Sequence, residues 1–191
     1  MLKLLSIFTL LTFGNPAQKK QYEIAQIKTS YGEILIWLYD ETPKHKASFI
    51  QLAKAGYWDS LSFNRVIPNF VAQGGCPDTE EGFKDPEYLL EPEINKTLLH
   101  DYGAVGAGRD NNPGKISARC QFYIVQNKNG VHRLDNDYTI FGKVIKGMNV
   151  IDSITNAKRD KKDEPLQKIT LDVNIIKMSG KQLSKIGYIV H

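Results

Sequence analysis

Residues 63–77 read Phe63-Asn-Arg-Val-Ile-Pro-Asn-Phe-Val-Ala-Gln-Gly-Gly-Cys-Pro77, and they place a permanent cation among large apolar side chains. The cation is Arg65, and its surroundings are too apolar for an ordinary solvated face. We therefore expect a specific reason for its desolvation. As a regular extended strand, the segment places Phe63, Arg65 and Ile67 on one side and Asn64 and Val66 on the other.

The order of residues in this stretch resembles the signature of the cyclophilins, the peptidyl-prolyl cis/trans isomerases. In that family a strand of the form Phe-x-Arg-[apolar]-Ile-Pro-x-Phe-x-x-Gln-Gly-Gly carries the active site. Three later segments resemble the same family: Gln121-Phe-Tyr-Ile, Leu134-Asp135 and Tyr138-Thr-Ile-Phe-Gly-Lys-Val144. The alternative for the first stretch is a buried strand whose arginine only pairs with a carboxylate.

The length and charge of the chain indicate one ordinary domain. A chain of 191 residues suits a single core, and its net charge of +4 is spread among acids rather than clustered in a basic stripe. Nucleic acid is therefore not an expected partner. Residues 1–17 have a lysine, a short apolar run and small residues, the plan of a secretory signal peptide. We expect the domain to occupy residues 18–191.

Alternating and helical patterns predict the main elements. A β-hairpin joins Tyr22–Thr29 to Glu33–Tyr39, and a helix begins after an N-cap at Thr42 and ends at Gly56. We expect the lone His45 of this helix to face solvent. Further elements are predicted downstream: a long loop over Asp78–Leu99, strands at Tyr102–Gly108, Gln121–Val125 and Ile169–Ile175, a short helix around Met148–Ile154, and a solvated charged loop at Lys158–Glu164. The resemblance implies one more strand, at Tyr138–Val144.

Many short strands with two helical patterns indicate a mainly β fold, either a barrel or a sandwich. The resemblance implies the barrel, closed and antiparallel with eight strands and capped by two α-helices. The glycine-rich segment Tyr102–Gly108 lacks the lysine of a phosphate-binding loop, and we interpret it as a strand that another backbone or a peptide approaches closely. Residues 180–191 extend beyond the family pattern, and no role is assigned to them.

The cysteines and histidines give no indication of a metal site or a cofactor. Cys76 and Cys120 allow one disulfide in an exported protein, and their spacing leaves open whether they pair. The four histidines form no close-spaced pair with each other or with a cysteine, so zinc has little support. A hydrolase that uses a Cys-His pair is disfavoured because neither cysteine lies in a nucleophile motif.

The resemblance implies a peptidyl-prolyl cis/trans isomerase in which Arg65 is the catalytic residue. The substrate-binding residues that it implies are Phe63, Phe70, Val71, Gln73, Gly108, Arg109, Gln121, Tyr123, Leu134 and Tyr138. Arg109 stands where relatives have Asn, which favours substrates with a nearby acid. Arg133 stands where the family often has a Trp that helps bind cyclosporin, so we expect weak inhibition by that drug. The alternative function is a non-catalytic module, a peptide binder or chaperone, that keeps the groove without turnover.

The expected partners are proline-containing polypeptides in the course of folding. The signal-peptide pattern predicts an exported protein, periplasmic or secreted, that does not insert stably in a membrane once the signal is removed. We expect a monomer.

Overall fold

The computed structural model describes residues 20–59, 61–76 and 88–190. The predicted signal peptide lies outside the described residues, as do residues 78–87 of the predicted loop over Asp78–Leu99. The helices are α1 (Pro43–Lys54), α2 (Met148–Thr155) and α3 (Gly180–Lys185), and a 3₁₀ turn covers His132–Leu134. The strands are β1 (Gln21–Thr29), β2 (Gly32–Leu38), β3 (Ser62–Val66), β4 (Val71–Gly75), β5 (Leu89–Leu90), β6 (Ala104–Ala107), β7 (Ser117–Ala118), β8 (Gln121–Val125), β9 (Ile140–Lys146), β10 (Ile169–Thr170) and β11 (Asp172–Ser179).

Nine of the described strands form one antiparallel sheet in the order β10-β3-β4-β8-β6-β9-β2-β1-β11. β10 pairs with β3 and β11 pairs with β1, so one stretch of chain joins the two ends of the sheet. That arrangement nearly closes a barrel, as expected. The count differs from the expected eight because the last strand divides at Leu171, whose N–H donates to the Leu61 carbonyl. Counted as one, β10 and β11 leave eight strands. β5 and β7 form a separate two-stranded pair.

Apolar side chains of both predicted helices and of the strands share one core. Phe49 of α1 packs 4.5 Å from Trp58 and 5.9 Å from Phe122 between ring centroids, and Ile151 and Ile154 of α2 are fully buried. Burying these side chains, at about 1.5–3 kcal/mol each for the aliphatic ones, holds the helices on the barrel. None of the helices in the described part of the chain has the length and apolar character needed to cross a membrane.

The N-terminus of α1 confirms the position of the N-cap and corrects the prediction for His45. Thr42 occupies the N-cap position, but its hydroxyl makes no capping hydrogen bond. The Glu93 carboxylate accepts hydrogen bonds from the backbone N–H groups of Lys44 and His45 at 3.0 and 2.9 Å. It also accepts one from Nδ1 of the His45 ring at 2.7 Å. An acid at a helix N-terminus also complements the helix dipole. The prediction that His45 faces solvent is wrong, because its side chain is buried against this distant carboxylate.

A third helix that sequence reasoning missed covers the outer face of the sheet. Ser179 and Gln182 form a capping box that starts α3, and Leu183 is fully buried. The segment after α3 brings Tyr188 to 5.1 Å from the Trp37 ring. This packing explains why β2 is apolar on both faces: its outer side chains lie beneath the C-terminal residues.

Candidate active site

A surface cavity of about 290 Å³ opens on the outer face of β3, β4 and β8. Nearly all of the predicted site residues meet there. The residues that line it are Arg65, Phe70, Val71, Gln73, Gly108, Arg109, Gln121, Tyr123, Arg133, Leu134 and Tyr138. One predicted binding residue, Phe63, is missing from this set, and Arg133 is an addition to the predicted binding set.

A β-bulge in β3 decides which side chains face the cavity. Phe63 pairs with Gly74 and Arg65 with Gln73, so the register shifts across Asn64. The extra residue breaks the strict alternation of sides. Phe63 is therefore 1 % exposed inside the barrel, 6.0 Å from the Phe122 ring, whereas Arg65 lines the cavity. The expectation that both side chains share one face, with Phe63 in the groove, is wrong for this reason.

Arg65 pairs with no carboxylate of the described residues. Within residues 20–59, 61–76 and 88–190, no hydrogen bond or ion pair of its guanidinium is found, although the side chain is half-buried. The alternative in which this arginine only pairs with a buried carboxylate thus has no support in the described part of the chain. A planar guanidinium with five N–H donors remains directed to whatever occupies the cavity.

An apolar slot lies beside the arginine. Val71, Tyr123 and Ile140 form a small cluster separate from the barrel core, with Phe70 and Leu134 packed against it. The rings of Tyr123 and Tyr138 meet edge to face, with centroids 6.0 Å apart and planes at 87°. Such a slot suits a compact apolar ring, because aromatic walls contribute both area and shape.

Two glycines, one in β6 and one directly after it, leave room for side chains of β8. A Cβ on Gly106 would overlap the end of the Tyr123 ring, and a Cβ on Gly108 would overlap the Gln121 side chain. The prediction of a strand at this segment is confirmed. The close approach comes from side chains of the neighbouring strand β8, which form the floor of the cavity.

A buried polar network lies under that floor, and sequence reasoning did not find it. The Nδ1 atom of His100 lies 2.8 Å from Asp135, and its Nε2 atom lies 2.8 Å from the Tyr123 hydroxyl. Because the carboxylate only accepts, Nδ1–H donates to it and Nε2 accepts from the hydroxyl. The partners are 35 and 23 residues from His100 in the chain, so no linear spacing identifies them.

The electrostatics of this network follow from burial. Burial lowers the pKa of His100 despite the hydrogen bond and charge of Asp135. Burial alone would raise the pKa of Asp135, but hydrogen bonds from the His100 backbone and ring bring it below its ordinary value. Burial also raises the pKa of the Tyr123 hydroxyl well above its ordinary value. At neutral pH the network is therefore a neutral imidazole between a phenol and a carboxylate.

The two other arginines of the cavity differ in their partners. Arg109 bonds the Asp137 carboxylate at 2.9 Å and lies 4.3 Å over the Tyr138 ring. The Lys115 hydrogen bond, with the charge of Arg109, holds the pKa of Asp137 below its ordinary value. Arg133 instead lies with its guanidinium 4.8 Å from the centroid of the Phe70 ring.

A disulfide joins Cys76 and Cys120, whose Cα atoms are 5.4 Å apart. The sequence left this pairing open. The bond links the end of β4 to the residue before β8, and the Gln121 side chain donates to the Cys76 carbonyl at 3.2 Å. Within the described ranges, no group of three or more histidine, cysteine or carboxylate side chains is arranged to hold a metal ion.

The fold and the cavity define a class of protein: an antiparallel β-barrel with an outer groove in which an apolar slot lies beside a guanidinium that pairs with no acid in the described part of the chain. The family model for "Cyclophilin type peptidyl-prolyl cis-trans isomerase/CLD" matches residues 24–175. The chain belongs to this isomerase family.

Individual relatives agree with the family. The peptidyl-prolyl cis-trans isomerase-like 2 protein of Rhizopus delemar is 38% identical over 157 residues, covering 81% of this chain and 28% of the relative. A peptidyl-prolyl cis-trans isomerase of Schizosaccharomyces pombe is 36% identical over 151 residues, covering 76% of this chain and 94% of the relative. The chain thus spans little more than a quarter of the Rhizopus protein and nearly all of the yeast one.

A solved structure shares the fold. A cyclophilin-type isomerase of Cryptosporidium parvum, crystallised in the presence of the dipeptide Ala-Pro, superimposes with a TM-score of 0.71 at 27% identity. The match covers 82% of this chain and 99% of that one.

Proposed function

We propose that this chain accelerates rotation about X-Pro bonds in exported polypeptides as they fold, and that Arg65 is its catalytic residue. Rotation about a peptide bond faces a barrier of roughly 18–20 kcal/mol because the nitrogen lone pair is delocalised into the carbonyl. No covalent bond is made or broken. A catalyst therefore has to bind the twisted amide better than either planar form.

The arrangement of the cavity suits this task. The proline ring enters the slot formed by Phe70, Val71, Tyr123 and Leu134, and is held while the rest of the bond rotates. In the twisted state the lone pair returns to the nitrogen, which becomes a hydrogen-bond acceptor. In this proposal Arg65 donates to it, and a donor fixed before the reaction needs little reorganisation. The observation that carries the proposal is this guanidinium, which has no ion-pair partner among the described residues, beside an apolar slot.

Polar groups around the slot hold the peptide backbone in this proposal. Gln73 pairs in register with Arg65 on one side and Tyr123 on the other, so it lies next to the reacting bond. The same cavity is also lined by Gln121, Gly108, Arg109 and Tyr138. Phe63 supports the site from within the barrel rather than by contact with substrate.

Export is supported by two features of the chain. Residues 1–17 have the pattern of a secretory signal peptide. The Cys76–Cys120 disulfide suits an oxidising compartment, since cytosolic thiols are generally kept reduced. We propose a monomer in a periplasm or in the medium, free of the membrane after signal removal, with proline-containing polypeptides as clients.

The test is an isomerisation assay on purified protein with Arg65→Ala. We expect kcat/KM to fall by roughly 10²-fold, the loss typical for one preorganised donor. Arg65→Lys keeps the positive charge but lacks the planar guanidinium with its several N–H donors, so it should retain only part of the rate. Lys181→Ala, an exposed lysine on α3, removes the same charge outside the cavity and should have no effect.

Two outcomes would contradict the proposal. An unchanged rate in Arg65→Ala would remove Arg65 from the mechanism. Peptide binding by the unmodified protein without any turnover would favour the non-catalytic module instead.

A further inference from the structure

The cavity is positively charged. Among the described residues that line it, the charged side chains are the three arginines Arg65, Arg109 and Arg133, and no carboxylate is present. Because a peptide that enters the slot is partly desolvated, its charged side chains will interact with these groups more strongly than they would in water. The three arginines differ in whether an internal acid already occupies them.

Arg109 is not available, although the sequence indicated it for this role. Its side chain is 5% exposed and bonds the Asp137 carboxylate at 2.9 Å. It also donates to the Asp110 carbonyl at 2.8 Å, and its planar group covers the Tyr138 ring. Each of its three nitrogens therefore donates to an internal acceptor: the Asp137 carboxylate, the Asp110 carbonyl and the Asp137 carbonyl. A substrate carboxylate would have to displace Asp137 to bind it.

Arg133 is available. It is exposed, and within residues 20–59, 61–76 and 88–190 it makes no ion pair. The nearest acid in the chain, Asp135, is held by His100 and His132. The guanidinium of Arg133 is nevertheless positioned, because it stacks 4.8 Å from the centroid of Phe70, a wall of the slot. A cation held against an aromatic face loses less side-chain entropy when it binds a partner.

The position of Arg133 places it on the path of the peptide. A second, more open groove of about 650 Å³ adjoins the cavity and shares Arg65, Phe70 and Arg133 with it. A peptide whose proline occupies the slot and whose chain continues toward this groove must pass Arg133. The side chains flanking the proline therefore come within reach of its charge.

We propose that Arg133 is a specificity-determining residue that favours substrates with an acidic side chain beside the proline. This inference rests on the proposed isomerase function and deepens it, since it names the chemistry of the preferred substrate. Arg65 adds to the positive field, but its donors are directed to the rotating bond. Arg133 is the cation that a flanking carboxylate can take as its own partner.

The experiment measures kcat/KM by exchange NMR on matched short peptides that carry Glu, Gln or Lys immediately before or after the proline. The quantity compared between variants is the Glu-to-Gln ratio of kcat/KM, because intrinsic differences between the peptides are the same for every variant and cancel in that comparison. For the unmodified protein we expect a ratio of about three on at least one side of the proline, the value of a partly exposed ion pair. High salt should reduce it.

Variants of Arg133 give the discriminating results. Arg133→Ala should bring the Glu-to-Gln ratio to about one, and Arg133→Glu should reverse the preference toward Lys peptides. Arg133→Lys should keep part of the preference. Lys181→Glu makes the same charge reversal on α3, outside the cavity, and should leave the ratio unchanged.

The failure of this inference is distinct from failure of the isomerase function. If the unmodified protein turns over no Gln peptide, the proposed function itself fails. If Gln peptides are turned over and the Glu-to-Gln ratio is the same in the unmodified protein and Arg133→Ala, Arg133 does not select the substrate and the inference is overturned.

Discussion

His100 ties the floor of the cavity to the turn that carries two of its walls. Its ring is fully buried, accepts a hydrogen bond from the Tyr123 hydroxyl and donates one to the Asp135 carboxylate. Asp135 directly follows the 3₁₀ turn that contains Arg133 and Leu134. Each partner depends on the others, because a buried polar group without a partner costs about 1–3 kcal/mol. At this scale the geometry of the cavity depends on one neutral imidazole.

We expect this imidazole to make the stability of the protein dependent on pH. An unfolded histidine titrates near 6.5, and burial lowers the pKa of His100 in the folded protein. Between those two values the unfolded chain binds more protons, so the free energy of unfolding should fall as the pH drops below about 6.5. The pKa of Asp135 lies below its ordinary value of 3.8, so its own stabilising contribution is lost only at lower pH.

Urea unfolding at several pH values between 7 and 5 measures the effect, with His100→Gln for comparison. The variant should be less stable but show a flatter pH dependence, and the remaining slope should come from the buried His45, whose pKa burial also lowers. An NMR titration of the unmodified protein provides an independent check. A His100 ring that protonates at or above pH 6.5 would contradict the expectation.

At the scale of elements, the absence of a side chain at Gly106 of β6 shapes the cavity. Gly106 lies opposite Tyr123 in the pairing of β6 with β8, and the end of the tyrosine ring occupies the space where a Cβ would stand. The tyrosine cannot move aside freely, because His100 holds its hydroxyl. The position of the Tyr123 ring therefore depends both on β6 and on the hydrogen-bond network below it.

Gly106→Ala should displace the Tyr123 ring, because the added methyl group needs the space that the ring occupies. We expect a loss of about 1–3 kcal/mol in the free energy of unfolding, as for other overpacked sites, and weaker peptide binding seen as a raised KM. Gly180→Ala is the matched control, because a Cβ there meets nothing within 4 Å. If the two variants have equal stability and KM, the Tyr123 ring is not confined as the structure indicates.

At the scale of the whole molecule, closure of the sheet and one covalent bond fix the site. The stretch from β10 to β11 joins the two ends of the sheet, and the outer face of β2 is covered by the residues of and after α3. The Cys76–Cys120 bond closes a loop with a sequence separation of 44 residues beside the cavity. Such a bond stabilises mainly by restricting the unfolded chain.

Removing the disulfide should therefore lower stability more than activity. For the double variant Cys76→Ser, Cys120→Ser we expect a loss of roughly 2–4 kcal/mol in the free energy of unfolding. Isomerase activity at low temperature should persist, since neither sulfur lines the cavity. A reducing agent should reproduce the loss in the unmodified protein and leave the double variant unchanged. Equal unfolding midpoints for the two proteins would contradict the prediction.

Much of the fold and of the site follows from local patterns. Alternation identified β2 and the stretch of β10 and β11, a short apolar run identified β8, and helical spacing identified α1 and α2. The predicted strand at Tyr138–Val144 is present but displaced, as β9 begins at Ile140 and leaves Tyr138 in the preceding turn. Helix α3 was missed because its single buried residue, Leu183, gives too short a pattern. These patterns succeed where one face of an element is buried over several residues.

The sequence by itself determined the family, the catalytic candidate and most of the slot, because side-chain order along a strand survives without knowledge of its neighbours. The tertiary structure alone decided that the bulge at Asn64 turns Phe63 into the core, and that Asp137 takes the charge of Arg109 while Arg133 stays free of an ion pair among the described residues. It also decided that Tyr123, His100 and Asp135 form one network. Register and charge pairing depend on residues that are distant in the chain, and only closure of the barrel brings those residues together.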